Sequence, residues 1–197
     1  MVKQVVAASL PKGASDLDVI LGGILLVRVI NLIALDIVER YWTIMRYWLM
    51  KSEPDEFSID DLARAPRQRS VWFGVRNYQA RNFMRDEMRI GDLVLFYHSS
   101  CAEPGIAGLA RVSSRALPDP TQFDRNSKYF DPKATHDQPR WFSVELKFVK
   151  KTRLLALAEL RRHQELAGMR LLARGNRLSI TPVDPGEWTF ITANLLK

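Results

Sequence analysis

Residues 45–62 read MRYWLMKSEPDEFSIDDL and predict a strand that is followed closely by a helix. The segment RYWLMK (46–51) is rich in aromatic and apolar residues and predicts a strand. In SIDDLA (58–63), Ser58 stands at the N-cap position, and Asp60 and Asp61 fall in the first turn, where acidic side chains interact favourably with the helix dipole. The stretch therefore predicts the opening of a mixed domain at about Met45.

The chain after this opening continues to mix strands with short helices. Strands are predicted at LVLFYH (93–98), GIAGLARVSSRAL (105–117), WFSVELKFVKKTRLL (141–155) and RLSITPV (177–183). Helices are predicted at 77–88, LAELRRH (157–163), ELAGMRLLAR (165–174) and DPGEWTFITANLL (184–196), with PRQRS (66–70) as a loop. This order favours the α+β class, as a mixed β-barrel with flanking helices.

Composition restricts the possible functions. The 197 residues include 29 basic and 22 acidic ones, a formal net charge of +7, which favours a polyanionic partner such as nucleic acid. The single cysteine, Cys101, excludes an internal disulfide and fits a reducing compartment, so a cytoplasmic protein is expected. His98 and Cys101 are three residues apart, but three histidines and one thiol give no zinc spacing. We expect no metal and no cofactor.

Residues 1–45 differ from the remainder of the sequence. They hold four basic and four acidic residues, so the positive excess belongs to residues 46–197. The apolar run at 19–38 contains Arg28 near its middle, which makes a membrane span unfavourable. We interpret residues 1–45 as an extension that an early start codon could have added, and expect a chain beginning at Met45 to be as stable as the full chain. A loss above about 2 kcal/mol on truncation would contradict this.

Residues 70–85, SVWFGVRNYQARNFMR, combine a helical core face with an unusual polar face. On a helix, Ala80, Phe83, Met84 and Met88 share one side and predict core contacts. The opposite arc carries polar and aromatic residues that are poorer helix formers than lysine or glutamate, which suggests groups chosen for hydrogen bonding or stacking. That arc comprises Asn77, Tyr78, Arg81, Asn82 and Arg85. A plainer interpretation makes Asn77 an N-cap, Tyr78 a cover on the core and the arginines solvent-exposed charges.

Aromatic residues supply flat surfaces for a planar ligand. Trp72, Tyr97 and Trp141 are candidates to stack on a base, whereas Phe73 is better explained as core. Strand ends of a small barrel meet at one rim, so at least two of the three rings are expected at one cavity, with Ser52 and Asn77 at its edge. Replacing a stacking ring is expected to leave the fold intact.

Several motifs together resemble the EVE domain family of the PUA-like superfamily, to which the YTH readers of methylated adenine are related. They are MKSEPDEFSIDDL, W-x-G-V-R-N-Y-Q-A-R-N-F-M-R, G-D-L-V-L-F-Y-H-S-S, P-G-I-A-G-L-A-R-V, and Y-F-D-P-K-A followed by P-R-W. The blocks keep the family's order over about residues 46–195, which assigns the EVE domain to residues 46–197. The resemblance implies a PUA-like β-barrel and a pocket that accepts a modified base.

The resemblance also implies site residues, block by block. Base-binding candidates are Lys51, Ser52, Glu53, Trp72, Asn77, Tyr78, Asn82, Tyr97, His98, Ser99, Gly105, Ile106 and Trp141. Phosphate-binding candidates, chosen as cations beside this pocket, are Arg76, Arg81 and Arg85.

Three functions remain open from the sequence. The first is a binding module that reads a modified base in nucleic acid. The second is a nuclease-like enzyme of the same superfamily, with Glu53 and Lys51, or His98 and Cys101, as reacting groups. The third is a sensor of a small purine-like ligand. No catalytic triad, phosphate-binding glycine loop or metal cluster is visible in the sequence, so the binding module is preferred.

Overall fold

The computed structural model describes residues 45–196, and the expectations for residues 1–44 lie outside that range. Seven strands fall within it: β1 (Tyr47–Ser52), β2 (Arg69–Trp72), β3 (Leu93–His98), β4 (Gly105–Val112), β5 (Leu117–Pro118), β6 (Phe142–Ala156) and β7 (Ile180–Val183). The α-helices are α1 (Ile59–Arg64), α2 (Tyr78–Asn82), α3 (Leu157–Leu160) and α4 (Pro185–Phe190). Helices α2 and α4 continue into π-helical turns at Phe83–Glu87 and Ile191–Leu195. In the described part of the chain, no helix is long and apolar enough to cross a bilayer.

The strands form one mixed sheet in the order β2-β6-β4-β3-β1-β7, with β5 paired to β6. Strands β1 and β3 are parallel, and every other pairing in the described chain is antiparallel. Register shifts interrupt the β3–β4 and β4–β6 ladders, and such bulges increase local twist and curvature. The structure confirms the expected α+β class, an open PUA-like mixed barrel with flanking helices.

Each face of the sheet packs against its own hydrophobic cluster. Side chains alternate between faces along a strand, so Trp48 and Met50 point to one cluster while Tyr47 and Leu49 point to the other. The first cluster, which we call the inner core, receives α1 and α2. The second, which we call the outer core, is covered by the segment from α3 to the end of the described chain.

The local signals for the two N-terminal helices are confirmed. Ser58 and Asp61 form a reciprocal capping box at the start of α1. The side chain of Asn77 accepts hydrogen bonds from the amides of Gln79 and Ala80, so the plainer interpretation of Asn77 as an N-cap is also confirmed. The predicted core face is buried throughout: Ala80, Phe83, Met84 and Met88.

Several segments differ from the sequence-based prediction; the strand predicted at 105–117, for example, ends at Val112. Arg69 and Ser70, assigned to a loop, belong with Val71 and Trp72 to β2, which pairs with β6. Residues 165–174, predicted as a helix, instead contain two 3-10 turns, Gln164–Leu166 and Arg170–Leu172. Leu166, Met169 and Leu171 are all buried in the outer core. Their steps of three and two residues would not place them on one face of a helix.

Candidate nucleic-acid interface

A cavity of about 500 Å³ opens where β1, β2 and β3 end and where β7 begins. It is lined by Lys51, Ser52, Glu53, Glu56, Phe57, Ser70, Val71, Trp72, Phe73, Gly74, Val75, Arg76, Ser99, Ser100, Tyr129, Arg177 and Ser179. Because β1 and β3 are parallel neighbours, their carboxyl ends bring Ser52 and Ser99 together, and the Ser99 amide donates to the Ser52 carbonyl at 2.8 Å. The cavity size falls within the range of small-ligand sites.

Aromatic rings form one wall of the cavity. Phe73 is 52% exposed and meets the ring of Tyr129 edge-on, with centroids 6.2 Å apart. Trp72 is only 8% exposed, and its ring packs edge-on against Phe96 in the inner core, with centroids 5.4 Å apart. Alternation along β2 and into the residue after it thus turns Trp72 toward the inner core and leaves Phe73 as the ring presented to the cavity, the reverse of the sequence-based expectation.

A buried carboxylate fixes the backbone of this wall. Asp119 is fully buried and accepts hydrogen bonds from the Gly74 amide (2.9 Å), from Arg76 Nη1 (2.8 Å) and from the amide and hydroxyl of Thr121. Burial alone would raise the pKa of Asp119, but the hydrogen bonds from Arg76, Thr121 and Gly74 outweigh it, and its pKa lies below the ordinary value.

Gly74 is required at its position for two reasons. Its φ is +82°, and an added Cβ would lie 2.7 Å from Cζ of Tyr129. Any other residue would therefore push Tyr129 out of the aromatic wall.

The remaining residues of the cavity lining are mostly polar. Lys51 is half-buried, and this burial lowers the pKa of its ammonium group. Glu56 forms an ion pair with Lys128, whereas within residues 45–196 the exposed Glu53 carboxylate has no cationic or hydrogen-bonding partner. The cavity can therefore offer a planar ligand a flat wall, a carboxylate acceptor, an ammonium donor and several serine hydroxyls.

Six of the sequence-predicted residues line this cavity: Lys51, Ser52, Glu53, Trp72, Arg76 and Ser99. Arg76 has a structural role at the cavity, and this role contradicts the prediction that it binds phosphate. All five of its N–H groups donate within the protein, to Tyr129, Val75, Asp119 and Thr121, so none remains for a phosphate oxygen.

The expectation that at least two of the rings of Trp72, Tyr97 and Trp141 lie at one cavity is wrong, because only Trp72 is among the lining residues. Tyr97 lies in the outer core, on the opposite face of the sheet from Trp72, and burial raises its pKa to about 12. Trp141 is buried elsewhere, where its indole N–H donates to Asp131 at 2.7 Å and its ring stacks on Tyr78.

Other predicted residues perform local structural tasks outside the cavity lining. His98 Nε2 accepts a hydrogen bond from the amide of Ile59 at 3.1 Å, which holds the start of α1 against β3. Gly105 and Ile106 are buried in β4, and a Cβ on Gly105 would lie 2.5 Å from the carbonyl oxygen of Leu155. Asn77 does not line the cavity edge, because it caps α2.

The remaining predicted residues form a second surface around α2. Tyr78 is 49% exposed, and the guanidinium groups of Arg81 and Arg140 lie 4.9 and 5.7 Å from its ring centroid. Asn82 accepts from Arg81, and Arg85 pairs with Asp86. This arginine–aromatic surface is not part of the cavity lining.

Sequence reasoning missed several cavity residues, above all Phe73, Tyr129 and Arg177. Recognition of β2 as a strand would have turned Phe73 outward. Tyr129 stands in the quoted motif Y-F-D-P-K-A, but its contact with Phe73 spans more than fifty residues, and no local pattern encodes it.

Comparison with known proteins agrees with this architecture. The EVE domain profile matches residues 46–194. Human thymocyte nuclear protein 1 is 44% identical over 74% of this chain and 72% of its own length. A crystal structure of a Pseudomonas putida protein is 51% identical, with a TM-score of 0.71 over 75% of this chain and 97% of that one.

A further crystal structure holds the human THYN1 protein in complex with DNA that contains 5-methylcytosine. It is 44% identical to this chain, with a TM-score of 0.72 over 75% of this chain and 96% of that one. The family match covers most of the chain and all but the last residues of the described barrel, and the fold agrees over nearly the whole of these relatives. The chain belongs to the EVE domain family.

Proposed function

We propose that this protein binds nucleic acid and reads a modified base, of the 5-methylcytosine class, in the cavity between β1, β2 and β3. The observation that carries the proposal is the aromatic and polar cavity itself, at the open end of a barrel shared with the human relative solved with 5-methylcytosine DNA. A net charge of +7 supports a polyanionic partner.

Within the cavity, we assign distinct roles to three side chains. Phe73 stacks on the base, because it is the most exposed ring of the wall. Glu53 accepts a hydrogen bond from the exocyclic amino group that distinguishes cytosine from thymine, which is the usual pairing of a carboxylate with this base. Lys51, an ammonium donor half-buried at the same edge, faces the acceptor atoms of the ligand.

The preference for a methylated base should be modest. Burial of one methyl group contributes about 0.8 kcal/mol, or roughly a fourfold difference in affinity. Stacking contributes more, about 1–3 kcal/mol for each base. The ring therefore sets most of the affinity and the methyl group sets the selectivity.

Fluorescence anisotropy with the full chain tests this assignment. Oligonucleotides that differ only in one 5-methylcytosine should show about a fourfold difference in Kd. Phe73→Ala should weaken binding about 5- to 150-fold. Phe130→Ala, which removes an exposed phenylalanine outside the cavity, should leave binding unchanged.

Equal affinity for both oligonucleotides, together with normal binding by Phe73→Ala, would contradict the proposal. Gel analysis of the same mixtures tests the enzymatic alternative, because a nuclease leaves shortened products and a binding module returns the oligonucleotide intact. Binding that does not weaken as salt rises would instead favour a small-molecule sensor.

We also propose that the protein acts in a reducing compartment, the cytoplasm, as a binding module without catalytic activity. Its single cysteine supports the first statement. The second is supported by the use of His98 as a structural acceptor for α1.

A further inference from the structure

The outer surface of β2, β6 and β4 carries an unusual row of cations. Arg69 lies directly opposite Lys147, and Lys147 lies directly opposite Arg111 on the next strand. Directly opposed residues point to the same face of a sheet and come within about 5 Å at their Cβ atoms, where like charges destabilise the pairing. The fold alone thus gives no reason for this row.

One more cation extends the row along β6, and only one acid balances it. Lys150 lies opposite Leu109, which shares a face with Arg111, so Lys150 faces the same side. Glu145, the one acid of this face in β2, β4 and β6, contacts Arg69 at 3.2 Å and also accepts a hydrogen bond from Ser113. Within residues 45–196, no carboxylate oxygen lies within 4.0 Å of the cationic nitrogens of Lys147, Lys150 or Arg111.

The position of these four residues, which we call the cation row, connects it to the cavity. Arg69 directly precedes Ser70 and Val71, which line the cavity, and Val71 points to the same face as Arg69. The segment from α3 onward packs against the outer core, and Lys147, Lys150 and Arg111 remain exposed. A strand that leaves the cavity over β2 therefore meets the cation row first.

We propose that the cation row binds the sugar–phosphate backbone that flanks the base held in the cavity. This inference rests on the proposed function and adds a phosphate-binding path that runs over the sheet, away from the arginines of α2. Three neighbouring strands span about 10 Å, and a nucleic-acid strand carries one phosphate per 3.4 Å of helix axis, so the row can meet about three phosphates.

The salt dependence of binding by a double variant tests this path. Lys147→Gln with Arg111→Gln should remove about two phosphate contacts and reduce the slope of log K against log salt by about 1.4–1.8. Between about 50 and 200 mM salt, the unaltered protein should then lose about 7- to 12-fold more affinity than the variant. The ratio of Kd values for methylated and plain oligonucleotides should not change, because phosphate contacts carry no base information.

The matched control removes two exposed arginines from the segment that covers the outer core. Arg162→Gln with Arg174→Gln changes the net charge equally and should leave the slope as it is. Thermal unfolding provides an independent check, because relief of like-charge repulsion should leave the row variant at least as stable as the unaltered protein.

A slope equal to that of the control variant would refute phosphate binding by the cation row, while base reading in the cavity would stand. Conversely, a reduced slope in a protein whose binding ignores both the methyl group and Phe73→Ala would uphold the row and refute the cavity assignment. If this face binds an acidic protein and not nucleic acid, the slope should equal that of the control variant.

Discussion

Replacing Asp119 with alanine is expected to lower the free energy of unfolding by about 3–5 kcal/mol, a large part of the stability of a domain this size. The substitution leaves the partly buried Arg76 guanidinium without its ion-pair partner and removes the acceptor of the Gly74 amide and of both Thr121 donors. Urea denaturation followed by tryptophan fluorescence measures the loss. Asp137→Ala, at an exposed position, should change stability by less than about 0.5 kcal/mol.

The effect of Asp119 should also depend on pH in a defined direction. The pKa of Asp119 in the folded protein lies below its ordinary value, so its stabilising effect is fully present above the unfolded pKa of about 3.9. The stability difference between the unaltered protein and Asp119→Ala should therefore stay constant from pH 7 to about pH 5. It should shrink as the pH falls further through the folded pKa. A difference that grows on acidification would contradict the ion pair.

Trp72→Ala is expected to destabilise the protein by about 3–5 kcal/mol, because it removes a large ring from the inner core. The ring contacts Phe96 and Phe57 edge-on and is only 8% exposed. This outcome reverses the expectation that the fold tolerates the change. Weak binding by this variant would therefore reveal nothing about stacking.

Phe73→Ala is the matched comparison at the neighbouring position. Its ring is 52% exposed, so its removal should cost under about 1 kcal/mol of stability while weakening binding. If Phe73→Ala unfolds as readily as Trp72→Ala, the assignment of Trp72 to the inner core and of Phe73 to the cavity wall is wrong.

The sequence predicted the elements whose signals are local. The cap of α1 at Ser58, the cap of α2 at Asn77 and the core face of α2 depend on residues within one or two turns of each other. The first strand and its polar end at Ser52 followed from the same kind of pattern and from the family motif.

The cavity wall depends on contacts that no local pattern encodes. β2 has four residues and exists because it pairs with β6, about 75 positions later in the chain. The inward direction of Trp72, on the opposite face of the sheet from Tyr97, follows from that pairing. Trp141 looked like a cavity ring by residue type, yet its hydrogen bond to Asp131 and its stacking on Tyr78 hold it elsewhere.

Nuclear magnetic resonance of isotope-labelled protein shows directly whether the cavity holds the modified base. An oligonucleotide with a single 5-methylcytosine is added, and the shift of each backbone amide is followed. We expect the largest changes at Ser52, Glu53, Phe73, Gly74 and Ser99, and smaller changes at the same amides with the unmethylated oligonucleotide. Saturating binding that leaves these five amides unshifted, or shifts them equally with both oligonucleotides, would contradict base reading in the cavity.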